Sequence, residues 1–228
     1  MKVAIVSKNN SKTSLQSLLK NAGFKIVTKN PDVVVSHGGD GTFLVAEQLY
    51  PGVPKAAIKF GKSRTCFICS FISPEDVVRT LRKKKYRIRH LKKLETSFRG
   101  RKLRAINDIV VRNKLQTEAI RFSVYVNNKE IYKELIGDGI IAATPIGSTS
   151  YFYSAARKSF SRGIGIAFNN VYGKSVGPLF LRDRDVVKFK LLVGEAYVSA
   201  DNSKHLIVLK KGDSISIKVS RETASLLK

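Results

Sequence analysis

The chain has 228 residues, enough for one large domain or two small ones with a real core, and its 43% hydrophobic content is that of an ordinary globular protein. No segment approaches the ~20 consecutive apolar residues that span a bilayer. The start, Met1-Lys2-Val3-Ala4-Ile5-Val6, enters a strand pattern at once, without the length or cleavage site of a signal peptide, so a soluble cytoplasmic protein with no membrane partner is expected.

In chain order, Val3 to Val6 reads as a strand, and Leu15, Leu18 and Leu19 then recur at helix spacing until Asn21-Ala22-Gly23 stops the helix. Phe24 to Thr28 reads as a second strand, Pro31-Asp32 as a turn and Val33 to Ser36 as a third strand. Thr42 to Leu49 suits a helix that ends at Pro51-Gly52-Val53-Pro54, and Ala56 to Phe60 reads as a further strand. Ser73-Pro74-Glu75-Asp76 caps a helix running through Val77, Val78 and Leu81. Strands alternating with helices imply a parallel sheet, so residues 1–84 are expected to form a Rossmann-like α/β domain.

From about Tyr86 the texture changes. Short alternating runs (Leu103 to Val111, Glu118 to Val126, Ile131 to Ile136, Val186 to Val193, Ala196 to Ser199, Leu206 to Lys210, Ser214 to Val219) are separated by turns such as Asn127-Asn128 and Gly137-Asp138-Gly139. Residues 85–228 are therefore expected to form a β-rich, antiparallel α+β domain, with the question open whether its end returns to the first domain.

Charge is the outlying bulk property. With 42 Lys and Arg against 17 Asp and Glu, the net charge of +25 attracts polyanions: nucleotides, polyphosphate or nucleic acid. The densest cluster, Arg82-Lys83-Lys84-Lys85-Tyr86-Arg87-Ile88-Arg89-His90-Leu91-Lys92-Lys93, has no nucleic-acid motif around it and reads as a solvated interdomain segment; nucleic acid remains the minor alternative. The two cysteines form one Cys66-Phe67-Ile68-Cys69 pair. It cannot complete a four-ligand zinc site without His37, His90, His205 or a second chain, and a redox dithiol would normally open a helix. The apolar flanks Phe67, Ile68, Phe71 and Ile72 instead suggest a buried strand carrying two small core residues.

Three segments carry chemistry. In His37-Gly38-Gly39-Asp40-Gly41-Thr42, at the end of a β-branched run, the glycines let backbone amides approach an anion closely. Phosphates would repel Asp40 unless a cation or a hydroxyl stands between them, which suggests phosphoryl transfer with Asp40 as general base or metal-assisted acid; a capping or turn aspartate is the plain alternative. Asn107-Asp108 places polar side chains in the apolar run Ala105 to Val111, where ribose hydroxyls or a base edge would satisfy them, unless they form a strand end facing water. Gly137-Asp138-Gly139 to Thr144-Pro145-Ile146-Gly147-Ser148-Thr149-Ser150-Tyr151 leads small hydroxylated residues into a helix start, which suits anions and adenine edges, or is simple Ser/Thr capping. A P-loop is excluded: Gly61-Lys62-Ser63 ends like one, but Ala56 to Phe60 contains no glycine.

Together these segments resemble the NAD kinase family. Gly38 to Thr42 matches its Gly-Gly-Asp-Gly-Thr, Asn107-Asp108 stands for its Asn-Glu, and Thr144 to Tyr151 for its Thr-Pro-Thr-Gly-Ser-Thr-Ala-Tyr, in the same order and at similar spacing. Ser199-Ala200-Asp201-Asn202 is similar to the family's late Asp-Gly. The resemblance implies a kinase that moves a phosphoryl group from ATP or polyphosphate to the adenosine-ribose 2′-hydroxyl of NAD, making NADP. It also implies a two-domain fold with the site between the domains, a divalent cation such as Mg2+, and a homodimer or homotetramer. Carried over residue by residue, Asp40 is the base; Gly38, Gly39 and Gly41 lie by the phosphates; Asn107 and Asp108 hold ribose and adenosine. Thr149, Ser150 and Tyr151 line the adenine pocket, Thr42, Thr144 and Ser148 belong to the substrate- and nucleotide-binding set, and Asp138 and Asp201 reach a nucleotide of the same subunit or one across a subunit interface.

The chain also departs from the family pattern. Asp108 is one methylene shorter than glutamate, Ile146 replaces a hydroxylated residue, and Ala156-Arg157-Lys158 stands where a glycine pair is usual. Ile58-Lys59-Phe60-Gly61 lacks the family's asparagine, and the late proline-rich stretch thins to Gly177-Pro178. Two alternatives follow: a lipid or sugar kinase sharing only the glycine loop, and a non-catalytic regulator that binds NAD(P) or nucleic acid.

Overall fold

In the computed structural model, residues 1–7, 11–59 and 66–228 are described, and they divide into two units: Met1–Leu91 with Glu222–Lys228, and Lys92–Arg221. Phe60 and the Gly61-Lys62-Ser63 segment lie outside the described residues.

The first unit follows from its β-branched runs and helix-spaced leucines. Its elements are β1 (Lys2–Ser7), α1 (Ser11–Asn21), β2 (Lys25–Ile26), β3 (Val33–Gly38), α2 (Asp40–Leu49), β4 (Lys55–Lys59) and α3 (Pro74–Lys83). The strands are parallel in the order β2-β1-β3-β4, and Leu226 of the returning C-terminus pairs parallel with Lys55. Strand alternation sends Val3, Val33, Val35 and Ile58 to one face, against Leu15 and Leu19 of α1 and Val77 and Leu81 of α3. Ala4 and Val34 face Ala46 of α2 on the other side, which gives three layers. After β2 the chain crosses to the far side of β1, so the strand order reverses between β1 and β3, and Gly38-Gly39-Asp40 sits at the carboxyl end of β3. Open α/β sheets bind their ligands at such a switch point.

Helix α2 is fixed at its far end by a buried lysine. Lys55, fully buried, donates to the carbonyls of Tyr50 (2.8 Å) and Val53 (2.6 Å) and forms an ion pair with Glu47, whose other oxygen accepts from the Gly52 amide (2.9 Å). Carbonyls at a helix C-terminus lack intrahelical donors, and an ammonium group suits them. Ser73 caps α3 as expected, its hydroxyl accepting from the Asp76 amide at 3.2 Å with Pro74 in the first turn.

The second unit is built from β5 (Ile88–Phe98, whose first residues belong to the first unit), β6 (Arg101–Ala105), β7 (Asp108–Asn113), β8 (Ile120–Val126), β9 (Lys129–Gly137), β10 (Gly139–Ala143), α4 (Tyr151–Ala156), β11 (Ile164–Asn169), β12 (Leu179–Leu181), β13 (Val187–Val193), β14 (Ala196–Ala200), β15 (Ile207–Leu209) and β16 (Ser214–Leu227). One sheet is antiparallel in the order β12-β11-β10-β7-β14-β15; in the other, β16-β13-β8-β9 run antiparallel and β5 pairs with both β16 and β6. Their inner faces share one core, with Ile109, Val111, Ile140 and Val198 from the first sheet and Phe122, Val187, Phe189 and Ile217 from the second. On the first sheet's other face, Val110, Ile141 and Ala167 are covered by Phe152 of α4 and by Phe160.

Three sequence expectations are corrected. Leu103 to Val111 is two strands, β6 and β7, broken at Ile106-Asn107, so Asn107-Asp108 lies at a strand break and not inside a strand; Asp108 is nevertheless buried. The end of the basic cluster is not an open linker: it runs into β5, where Leu91 and Leu94 turn inward while most of the lysines and arginines face solvent. Cys66 to Ile72 is a loop, with Phe67 62% and Ile72 86% exposed, so neither cysteine sits in a core strand.

Candidate active site

The glycine loop belongs to the first unit. Gly39 occupies the N-cap of α2 in extended conformation, and Asp40 is the first helical residue. Thr42 and Phe43 return their amides to the Gly39 carbonyl at 2.9 and 3.4 Å. Asp40 does not cap its own helix. Its Oδ1 accepts from the Ile68 amide (2.9 Å) and its Oδ2 from the Phe67 amide (3.1 Å), so the loop after β4 sets the plane of the carboxylate. The glycines differ in their local need. A Cβ at Gly38 would stand 2.1 Å from the Thr42 hydroxyl, whereas a Cβ at Gly39 would meet nothing within 4 Å. Packing within the chain thus demands glycine at 38, while the surface over 39 is open to a ligand. Beside the carboxylate, Cys66 Sγ lies 3.1 Å from Asp40 Oδ1 and Cys69 Sγ 3.6 Å from the Gly38 carbonyl oxygen, and the two sulfurs are joined in a disulfide. Burial holds His37 below its ordinary pKa, which keeps the imidazole largely neutral at pH 7.

The second cluster is built around Asp201, in the second unit. Its Oδ2 accepts from the Ile106 amide (2.8 Å) and its Oδ1 from the amides of Asn107 (2.7 Å) and Asp108 (3.2 Å), while its own amide donates to the Asp108 carbonyl (2.9 Å). One carboxylate therefore shapes the turn that presents Asn107 and Asp108. Thr144 seals the other side: its amide donates to the Asn107 carbonyl (2.9 Å) and its hydroxyl to the Ile106 carbonyl (2.6 Å). The same hydroxyl accepts from the amides of Ile146 and Gly147, both at 3.2 Å. Gly147 packs so closely that an added Cβ would fall 2.1 Å from the Asn107 carbonyl oxygen. Gly147→Ala is expected to displace this turn and lower stability by about 1–3 kcal/mol, read as a fall in thermal midpoint; an unchanged midpoint would show that the turn yields without cost.

Beyond Gly147, Ser148 donates to the carbonyls of Pro145 (2.8 Å) and Phe160 (3.2 Å), and Thr149 donates to that of Ile146 (3.3 Å). Thr149 and Ser150 are exposed at the start of α4, and the Tyr151 hydroxyl accepts from Asn169 at 3.2 Å. The side-chain carbonyl oxygen of Asn107 is buried and receives no hydrogen bond from the described residues, so a donor supplied by a ligand would satisfy it. Asp138 stands apart. It precedes β10 while Thr144 follows it, and Gly139 lies opposite Arg112 where Ala143 lies opposite Asp108, which puts Asp138 a strand's length away, roughly 17–20 Å. There it accepts from Asn170 at 2.7 Å.

Electrostatics ties Asp108 to Asp201. Burial, and secondarily the negative charge of Asp201, push the Asp108 carboxyl up to about 7. Burial raises Asp201 to about 6 against the opposing pull of the three amides and of Lys93. Both pKa values exceed the unfolded value of roughly 3.9, so between about pH 4 and pH 7 the folded chain binds more protons than the unfolded one. The contribution is complete below pH 4 and is lost as pH rises through 6 and 7. The thermal midpoint is accordingly expected to decline from pH 5 to pH 8, and Asp108→Asn to flatten that decline by a few degrees; an unaltered slope would place the titration elsewhere.

Sequence reasoning did not find the Phe67 and Ile68 amides that hold Asp40, the pinning of the 106–108 turn by Asp201, or the buried Lys93 near it. Only Lys93 left a local trace, as an inward position in the alternation of β5.

A family model described as the ATP-NAD kinase C-terminal domain matches residues 106–228. A curated NAD kinase from Sulfurisphaera tokodaii is 29% identical over 234 residues, covering 99% of this chain and 90% of that protein. Among solved structures, an NAD kinase from Archaeoglobus fulgidus in complex with ATP superimposes with TM-score 0.81 at 22% identity, covering 100% of this chain and 94% of that one. Yeast NADH kinase complexed with NADH gives TM-score 0.82 at 18% identity, covering 100% and 83%. At such identities the two structures establish a shared fold.

Proposed function

The chain belongs to the NAD kinase family, and from that premise we propose that it moves the γ-phosphoryl group of ATP, or a terminal phosphoryl of polyphosphate, to the adenosine-ribose 2′-hydroxyl of NAD, yielding NADP. The observation that carries this reading is the state of Asp40, oriented at the end of β3 by two amides, one on each oxygen. A carboxylate has about four acceptor positions; Oδ1 has both the Ile68 amide and Cys66 Sγ against it, and Oδ2, with the Phe67 amide alone, keeps one for a substrate hydroxyl. The 2′-oxygen bonds to phosphorus as its proton passes to Asp40, and the bond from phosphorus to the bridging oxygen breaks to release ADP. Gly38, Gly39, Gly41 and Thr42 serve the phosphates from the helix N-terminus.

Asn107 and Asp108 take the ribose and adenosine, Thr144 and Ser148 hold the segment, and Thr149, Ser150 and Tyr151 face the adenine. Asp201, both of whose oxygens are engaged by backbone amides, acts by positioning the 106–108 turn. Magnesium is bound as a rule through one or two carboxylates together with substrate phosphates. Asp40, the only carboxylate of the glycine loop, fits that pattern, and the ion would neutralise phosphate charge. We place the enzyme in the cytoplasm as a homodimer or homotetramer, with Asp138, remote from the Asn107 turn, serving a nucleotide held by a neighbouring copy. Among the described residues no helix is long and apolar enough to cross a membrane.

A panel of NAD, NADH, diacylglycerol and sphingosine, each with ATP and magnesium, tests the proposal. Phosphorylation of the dinucleotide alone is expected. Lipid phosphorylation would move the chain to the lipid kinases, and DNA binding with a steep salt dependence but no NADP would make it a regulator.

A further inference from the structure

Cys66 and Cys69 are absorbed by nothing in the reaction above, yet they stand against its base. Asp40 with Cys66 and Cys69 is the one group of three such ligands among the described residues, its ligand atoms all within 4.8 Å of one another. The two Cα atoms are 5.4 Å apart, and Cys66 Sγ is 3.1 Å from Asp40 Oδ1. Two sulfurs and one carboxylate oxygen, with a fourth position open to water, suit a soft divalent cation that prefers tetrahedral coordination; magnesium and calcium take oxygen ligands. The cation itself would draw the protons from both thiols on binding and offset the negative charge of the Asp40 carboxylate, 3.1 Å from Cys66 Sγ. The pair abuts the N-terminal, positive end of α2, and the protein carries a net +25. The Phe67 and Ile68 amides, from between the two cysteines, already orient the carboxylate, as outer hydrogen bonds orient ligands in metal sites.

We propose that in the thiol form Cys66, Cys69 and Asp40 bind one zinc-class cation, and that its arrival occupies Asp40 and halts phosphoryl transfer. Binding converts two thiols to two metal thiolates and releases two protons. The disulfide form has no thiolate to offer and leaves Asp40 to the substrate. The sulfur pair would therefore decide whether zinc can silence the enzyme. The inhibitory half of the proposal rests on the kinase reading; the binding half does not.

The test uses the full chain, reduced with a water-soluble phosphine (which takes oxygen from water and returns two hydrogens to the sulfurs), freed of reductant and titrated anaerobically with cobalt(II). One cobalt per chain with a thiolate-to-cobalt absorption band is expected, displaced by one equivalent of zinc. The band should be absent in Cys66→Ser, in Cys69→Ser and in the oxidised wild type, with circular dichroism confirming that each variant folds. Equimolar zinc should lower NADP formation by reduced wild type about a hundredfold, and leave Cys69→Ser and oxidised wild type unaffected. A missing thiolate band, or a band that survives in both serine variants, overturns the site. A normal band with undiminished NADP formation overturns the inhibition and leaves the kinase intact. Absence of NADP formation by enzyme free of zinc and cobalt but supplied with magnesium counts against the kinase reading alone, because the cobalt spectrum still reports the site.

Discussion

Asp40→Asn is expected to lower the rate of NADP formation by about a hundred- to ten-thousandfold, while the thermal midpoint and NAD affinity stay close to wild type. The substitution keeps shape and one acceptor oxygen but removes the capacity to take a proton. Its structural cost is confined to the loop after β4. One of the two amides, Phe67 or Ile68, would face the new NH2 group and lose its acceptor, a change of about 1 kcal/mol in a half-exposed loop. Steady-state kinetics separates the roles: loss confined to kcat marks a base, whereas a rise in KM alone marks a binding group. A variant that turns over at the wild-type rate would leave Asp40 as a residue that organises its own loop.

Lys55→Met is expected to give the largest loss of stability, about 3–5 kcal/mol, seen as a drop of roughly 10 °C in thermal midpoint. Lys55 is fully buried, and its ammonium group satisfies the carbonyls of Tyr50, the C-cap of α2, and of Val53 in the turn beyond it, as well as the Glu47 carboxylate. Methionine fills the volume but leaves a buried negative charge and two unanswered acceptors. Glu47→Gln in the same chain should recover part of the loss, because the stranded charge is then gone. The effect bears on function, since Asp40 opens the helix whose other end Lys55 secures. If Lys55→Met unfolds with the wild-type midpoint, the buried pair contributes little and α2 is held by its apolar face.

The first unit could be read almost directly from its residues. Val33-Val34-Val35 and helix-spaced Leu15 and Leu19 carry strong local patterns, and Ser73-Pro74 declares the start of α3. The two sheets of the second unit were harder. Strand β5 hides among lysines and arginines that cover its exposed face, and β11 contains Gly165, which keeps room for the rings of Phe152 and Phe160. The break at Ile106-Asn107 is set by a carboxylate 94 residues further along, so no local pattern could announce it. The site shows the same division. Gly38 to Thr42 and Thr144 to Tyr151 are contiguous motifs and stand out in one dimension, but the amides that hold Asp40 come from Phe67 and Ile68, 27 and 28 residues further along. Arg157 is a case of its own: it ends α4 in the left-handed conformation (φ +53), so backbone geometry that glycine would adopt freely is imposed on a side chain.

The proposed reaction moves phosphate to one particular hydroxyl of NAD. Incubating the purified chain with NAD, magnesium and either ATP or polyphosphate, and following the product by phosphorus NMR, tests it most directly. A new 2′-phosphomonoester resonance matching authentic NADP is expected with at least one donor. A dinucleotide that stays unphosphorylated with both donors, or phosphate appearing on any other hydroxyl, would contradict it.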